Sequence, residues 1–278
     1  MLICDAQVHI WAEERPGRPW PADGKARAHR PTPLGAEELL REMDAAKVDR
    51  AILVPPSWEG DYNDLALQAA ADYPDRFAAM GRLDLANPEA AAAEIPRWRD
   101  QPGMLGVRVT FLAPEHKAWL ASGALEPFWA AAEAADVPLM VLPPDQIPEF
   151  EAVARRHPKL RLVVDHLAMT SSRKDAAAFA SVRDLLPLAD CPNVAVKASA
   201  LPCYTTESYP FPSVRPHIEA VFDAFGADRM FWGTDLSRLP CSYGEAISHF
   251  TETLPALDKA ALNRVMGAAI CDWLGWPY

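Results

Sequence analysis

Gln7 and His9 stand two residues apart in the first apolar run of the chain, DAQVHIW. In an extended strand, residues i and i+2 project from the same face. An amide and an imidazole therefore share one surface almost at the N-terminus. Two imidazoles at that spacing would read at once as a metal site; an amide beside an imidazole poses a different question. Other apolar runs are interrupted in the same way: by Arg82 and Asp84, Arg108 and Thr110, Asp165 and His166, Lys197 and Ser199, and Thr234 and Asp235. Singly, each has an ordinary structural reading. A strand-end histidine is more often a hydrogen-bonded structural residue than a ligand. Asp165 suits the anchoring of a neighbouring loop. Arg82 and Asp84 suit pairing with each other, which costs less than leaving either buried alone. Lys197 in VAVKAS is a solvated edge residue or needs a partner, because a lone charge in an apolar strand is expensive. Ser57 and Trp58, just after the second run, either line a site or simply turn the chain. Taken together these readings weaken: His9, His166 and Asp235 close the first, sixth and eighth apolar runs.

The elements that must position them alternate. LICDAQVHIW, RAILVPP, FAAMGRLDL, MLGVRVTFL, PLMVLPP, LRLVVDHLA, NVAVKASAL and RMFWGTDLS are short apolar, β-branched runs. Each is followed by an Ala-rich stretch with helical spacing, as in GAEELLREMDAAKV with Leu39, Leu40, Met43 and Val48. A last helix, KAALNRVMGAAICDWLG, ends the pattern, and the aromatic C-terminal DWLGWPY is expected to pack on the barrel. Eight strand-then-helix units in 278 residues predict a (β/α)8 TIM barrel, an α/β fold with residues 1–278 as one domain. A doubly wound sheet would use fewer strands and a glycine-rich first turn, and no GxGxxG follows the first run. In such a barrel the C-terminal strand ends converge on one mouth. Two long polar segments, Glu13 to Pro33 and Cys203 to Pro212, fall on that face and are expected to cover it.

The formal net charge of -11 argues against nucleic acid or an anionic membrane as partner, since both reward clustered Lys and Arg. A small anionic substrate remains compatible, because a few local cations suffice. The five cysteines are scattered and form no C-x-x-C, as expected of reduced thiols in a cytoplasmic protein. No signal-peptide pattern and no transmembrane run is evident. A homo-oligomer is left open.

D-x-x-x-H-x-W in the first run, VVDHLA in the sixth, VKAS in the seventh and FWGTD in the eighth resemble the amidohydrolase superfamily. They resemble most its amidohydrolase-2 branch of pyrone-dicarboxylate and sugar lactonases and aminocarboxymuconate-semialdehyde-type decarboxylases. The resemblance spans essentially the whole chain. In metal-dependent members it implies a divalent ion held by an H-x-H pair, histidines from strands five and six, and a strand-eight aspartate. Here His9, His166 and Asp235 match three of those positions. Gln7 stands where the first histidine belongs, and the fifth strand offers Leu142. An amide oxygen is a weaker zinc donor than imidazole. The expected cofactor is therefore none or one divalent metal, zinc first, on His9, His166 and Asp235. The resemblance to metal-free lactonases implies Asp235 as the base that activates water, with His166 and His9 polarising the carbonyl. Gln7, Arg82, Arg108 and Lys197, and more weakly Tyr204 and Arg238, are then candidates to hold the substrate, with Arg suited to grip a carboxylate. The expected activity is hydrolysis of a carboxylate-bearing lactone or cyclic ester. A metal-dependent decarboxylase or hydrolase is the alternative, and a non-catalytic small-ligand barrel the third reading.

Overall fold

Each of the eight apolar runs becomes a parallel strand, and each pairs with its neighbours in chain order. The computed structural model describes residues 1–278. Its strands are β1 (Cys4–Val8), β2 (Arg50–Leu53), β3 (Phe77–Gly81), β4 (Met104–Thr110), β5 (Leu139–Leu142), β6 (Leu162–Val164), β7 (Val194–Ser199) and β8 (Met230–Gly233). They form one eight-stranded sheet in the order β1 to β8. The seam between β8 and β1 is held by Asp235 N–H donating to Gln7 O at 2.8 Å and Thr234 N–H donating to Asp5 Oδ1 at 2.8 Å. Gly233 permits this closeness: a Cβ there would lie 3.2 Å from both Ala6 Cβ and Asp5 Oδ1. The result is a nearly closed (β/α)8 barrel, as the strand–helix alternation predicts.

Alternate strand residues serve two cores. Ala6, Ile52, Met80, Met140, Ala195 and Phe231 fill the barrel interior in one apolar cluster. Leu53, Ala79, Val107, Val141, Val164 and Val196 face the helices in a larger one. β1 departs from the alternation. Asp5 pairs with Ala51, and Val8 with Leu53, so three residues of β1 span two of β2. This bulge turns Gln7 into the barrel after Ala6, and Asp5 Oδ1 accepts the N–H of Gln7 at 3.1 Å.

The helices follow their apolar stripes; Ala36–Ala46 buries Leu39 and Met43. Besides the single turn Gly24–Arg27 in the first loop, the helix Pro114–Ser122 has no counterpart among the sequence expectations. It buries only Leu120, so it lacks a stripe to announce it, and Pro114 starts it while Gly123 ends it in the left-handed region. The final helix is continuous in the sequence pattern but broken in the fold by a π turn at Arg264–Ala268. Gly267 there lies against β1, where a Cβ would come within 2.7 Å of Cys4 N. Beyond it, Trp276 packs with the interior cluster, as expected of the aromatic C-terminus. No helix is long and apolar enough to cross a membrane.

Candidate active site

At the C-terminal ends of the strands lies a cavity of about 430 Å3 whose walls include His9, His29, Trp58, Arg108, His166, Tyr204, Asp235 and Arg238. The chain reaches it through tight turns. His166 and Asp235, each two residues beyond the end of β6 and β8, take the left-handed backbone conformation, with φ of 52° and 53°. For a non-glycine residue this conformation costs about 1 kcal/mol or more, and such strain gathers at functional sites.

Asp235 is the centre of the arrangement. Its Oδ2 accepts from Arg238 Nε at 2.6 Å and lies 3.8 Å from His166 Nε2. Its Oδ1 lies 3.2 Å from His9 Nε2 and 3.9 Å from His29 Nδ1, is buried, and receives no hydrogen bond. Burial pushes the carboxyl up, but the Arg238 guanidinium above all holds it well below the usual carboxylate range. Arg238 is itself fixed: it donates to Tyr204 Oη at 2.7 Å and lies over that ring.

The three imidazoles differ in what holds them. His9 Nδ1 donates to the carbonyl of Val54 at 2.5 Å, which leaves Nε2 facing Asp235 Oδ1 and the Gln7 amide. His166 Nδ1 meets Ser199 Oγ at 2.8 Å, and His29 Nδ1 meets Ser237 Oγ at 2.8 Å. Burial, opposed by Asp235, pulls both His166 and His29 down to about 3, so both are neutral at pH 7. His29 also rests on Trp58, with ring centroids 4.3 Å apart.

Beneath the cavity is a second charged group. Asp165 Oδ2 accepts from Arg108 Nε at 2.6 Å, and Oδ1 lies 2.5 Å from Lys197 Nζ. Lys197 also donates to Gln7 Oε1 at 2.5 Å, and Gln7 Nε2 lies 3.4 Å from His9 Nε2. Burial raises the Asp165 carboxyl, but Lys197 and Arg108 bring it to about 2.

The sequence-derived residues thus fall into three places. His9, His166, Asp235, Arg108, Tyr204 and Arg238 meet at the cavity, with Ser57 and Trp58 on its wall. Gln7 and Lys197 are wholly buried and do not line it. Lys197 is no edge residue. Arg82 lines a neighbouring cavity of about 60 Å3 that shares Arg108 and Thr110 with the first. It pairs with Asp61 at 3.0 Å, while Asp84 accepts from the Ala86 N–H instead. The first long segment does cover the mouth, through Ala26, Arg27 and His29; the second contributes Tyr204. Leu142 forms an apolar part of the wall where β5 ends.

His29 is a functional candidate that no strand end announces, because it rides on the first loop. The only sequence signal was the length and polarity of that loop. With His9 and Asp235 it forms a group whose ligating atoms lie within 4.8 Å of one another. Two imidazoles and a carboxylate are donors of the kind zinc takes, and the bare Asp235 Oδ1 would welcome a cation. The surroundings oppose one. Arg238 already occupies the other carboxylate oxygen, the Gln7 amide occupies His9 Nε2, and the Lys197 ammonium sits behind that amide. The donors fit a metal in type; the charges around them do not fit a tightly held one.

A barrel with catalytic-type imidazoles and a strand-eight aspartate at its mouth defines a class, and the chain belongs to it: residues 4–276 match the amidohydrolase family. Among its relatives, L-fucono-1,5-lactonase of Burkholderia ambifaria is 31% identical over 250 residues, which cover 87% of this chain and 83% of the relative. Gamma-resorcylate decarboxylase of a Rhizobium species is 30% identical over 102 residues, 35% of this chain and 31% of that one. Two solved structures share the fold. An amidohydrolase from Burkholderia multivorans with bound zinc has a TM-score of 0.83 at 23% identity, over 100% of both chains. A probable 2-pyrone-4,6-dicarboxylic acid hydrolase from Acinetobacter baumannii, with citric acid bound, has a TM-score of 0.75 at 15% identity, over 99% of this chain and 100% of that one.

Proposed function

We propose that the protein hydrolyses a lactone or related cyclic ester that carries a carboxylate, and that it does so without a bound metal. The observation that carries this reading is Asp235 Oδ1: a buried, ionised oxygen with no donor, at the floor of a cavity rimmed by imidazole and guanidinium groups. Such an oxygen is a ready acceptor for a proton from water. The relative of Burkholderia ambifaria, a lactonase by name, supports the same reaction class.

In the reaction, water oxygen bonds to the carbonyl carbon as its proton passes to Asp235 Oδ1. His9, whose Nε2 lies 3.2 Å from that carboxylate oxygen, borders the water and is held in place by Val54 and Gln7. Carbonyl polarisation does not fall to His9, because its only N–H is used by Val54. Polarisation falls to His166 and His29. Each accepts the proton of a serine hydroxyl at Nδ1 and so presents Nε2–H as a donor to the oxyanion. The ring C–O bond then breaks, and the departing alkoxide takes the proton back from Asp235 Oδ1. Arg238 keeps Asp235 ionised between turnovers. Arg108, whose Nε is used by Asp165, meets the substrate carboxylate with the rest of its guanidinium at the cavity wall. Arg82 and Tyr204 support that wall.

The His9, His29 and Asp235 donor group favours a second reading, a metal-dependent hydrolase or decarboxylase of the same family. Turnover of a panel of carboxylate-bearing lactones, before and after exhaustive treatment with a chelator, separates the two. Activity is expected to survive chelation. Activity lost on chelation and restored by zinc would move the reaction to the second reading.

A further inference from the structure

The buried charge of Lys197 has no use in the hydrolysis as described. Its Nζ lies 2.5 Å from Asp165 Oδ1, 2.5 Å from Gln7 Oε1, 3.4 Å from the Ala6 carbonyl and 3.2 Å from Met140 Sδ, with no solvent exposure. Every one of these atoms is an acceptor. A neutral amine would turn its lone pair toward one of them, so the geometry is that of a protonated ammonium sharing its hydrogens among acceptors. A charge so deep needs a task or a compensating partner. Asp165 supplies the compensation, but Asp165 already has Arg108 at 2.6 Å.

The task lies on the other side of the ammonium. Because Lys197 donates to Gln7 Oε1, the amide oxygen points at Lys197 and the amide nitrogen points at His9. The Gln7 N–H then donates to His9 Nε2, whose lone pair is free because Nδ1 is protonated toward Val54. That lone pair is the one a metal ion would use.

We propose that Lys197 and Gln7 are positioning residues that act as a built-in cation in place of a metal: the ammonium fixes the Gln7 amide on His9 Nε2 and repels any divalent ion from the His9, His29 and Asp235 donors. The proposal rests on the metal-free reading of the site but not on the identity of the substrate. Two features exclude the ion. One is an occupied ligand lone pair, which Gln7 supplies. The other is a fixed positive charge in a dry, weakly screened interior, which Lys197 supplies. Replacing Gln7 alone removes the first and leaves the second.

The test is zinc stoichiometry and zinc affinity, read by elemental analysis and by competition with a chromophoric chelator. The proteins are the full-length wild type, Gln7→His, Lys197→Gln, and the double variants Gln7→His/Lys197→Gln and Gln7→His/Lys197→Met, all purified without a His-tag. Wild type and Gln7→His are expected to carry well under one equivalent. The double variants are expected to take up about one equivalent, as a mononuclear site would. Their zinc affinity is expected to exceed that of Gln7→His by roughly tenfold to a hundredfold, the range typical of groups behind the ligands. Lys197→Gln keeps a neutral donor for Asp165 if the methionine variant does not fold. If neither does, Gln7→His alone decides, because the proposal requires that it stay metal-poor while Lys197 is present. One equivalent of tightly held zinc in Gln7→His overturns the role of Lys197. The same result in the wild type overturns the metal-free reading itself. Folded double variants that still refuse zinc overturn the proposal and leave that reading standing.

Discussion

Asp165 and Asp235 are two buried carboxylates in similar grips, each with a guanidinium Nε 2.6 Å from one oxygen. They differ at the other oxygen. Neither second oxygen receives a well-directed hydrogen bond, but Asp165 Oδ1 meets the Lys197 ammonium at 2.5 Å, whereas Asp235 Oδ1 meets two imidazole nitrogens at the cavity wall. A carboxylate saturated by two cations is a structural joint. One left half-bare at the floor of a cavity keeps a lone pair for chemistry, and the Arg238 contact holds it ionised. The same residue type, equally buried, is thus assigned to structure or to reaction by the charge that faces its second oxygen.

Exchanging each carboxylate for its amide breaks that comparison most directly. Asp235→Asn keeps an acceptor for Arg238 and removes only the free base. Lactone turnover should fall by roughly 10²–10⁴, the usual worth of a positioned base, while stability falls less than in Asp165→Asn because Arg238 is partly exposed and keeps Tyr204. Near-normal turnover would remove Asp235 from the mechanism. Asp165→Asn should act chiefly on stability. It leaves Lys197 and Arg108 buried over a neutral amide, and the loss of one partner from a buried ion pair costs about 3–5 kcal/mol. Urea denaturation reads that loss. An unchanged midpoint would mean that Asp165 is dispensable to the fold.

How much of this was legible in the sequence divides along the same line. The barrel was, because eight apolar runs alternate with helical stripes and each strand needs only its own pattern to form. His9, His166 and Asp235 were, because a strand end in a barrel has one place to go. What each carboxylate pairs with was not. Lys197 meets Gln7 across 190 positions of chain and Arg108 meets Asp165 across 57, and periodicity carries no information about such pairings. The bulge that turns Gln7 inward depends on the register between β1 and β2, which only the assembled sheet fixes. His29 escaped notice because loop residues have no period, and its position follows from Ser237 and Trp58 rather than from its neighbours in sequence.

The imidazoles sharpen the comparison through pH. His166 and His29 titrate near 3 in the folded protein and near 6.5 when unfolded. The unfolded chain therefore binds their protons first. Their contribution is complete above pH 6.5 and is lost as pH falls through 6.5 toward 3, at up to about 1.4 kcal/mol per pH unit for each group. Asp165 and Asp235, both lowered, add to the loss only below the ordinary carboxylate range. Asp5 works against them. Burial raises it to about 6 despite hydrogen bonds from Thr234, so its effect is to favour the folded state as pH falls from 6 toward 4. One of the two imidazoles is thereby offset over that window. Stability measured by urea at intervals from pH 7 to 4 should fall on acidification, less steeply in His166→Asn and more steeply in Asp5→Asn. Parallel curves for all three proteins would mean that these groups do not titrate as their surroundings dictate.

The smallest effect belongs to the rim. Arg27 lines the cavity but is partly exposed, with its guanidinium on Asp23 and Ser57. Unlike Arg108, which is gripped by Asp165 and nearly dry, it faces the screening of solvent and salt. Arg27→Ala should lower kcat/KM for a carboxylate-bearing lactone by only about twofold to fivefold, the scale of an exposed charge contact. The loss should shrink as salt is added and should vanish for a neutral lactone of the same ring. A loss that ignores both salt and substrate charge would mean that Arg27 acts by holding the first loop, and with it His29, over Asp235. The rim would then be part of the catalytic floor rather than a guide to it.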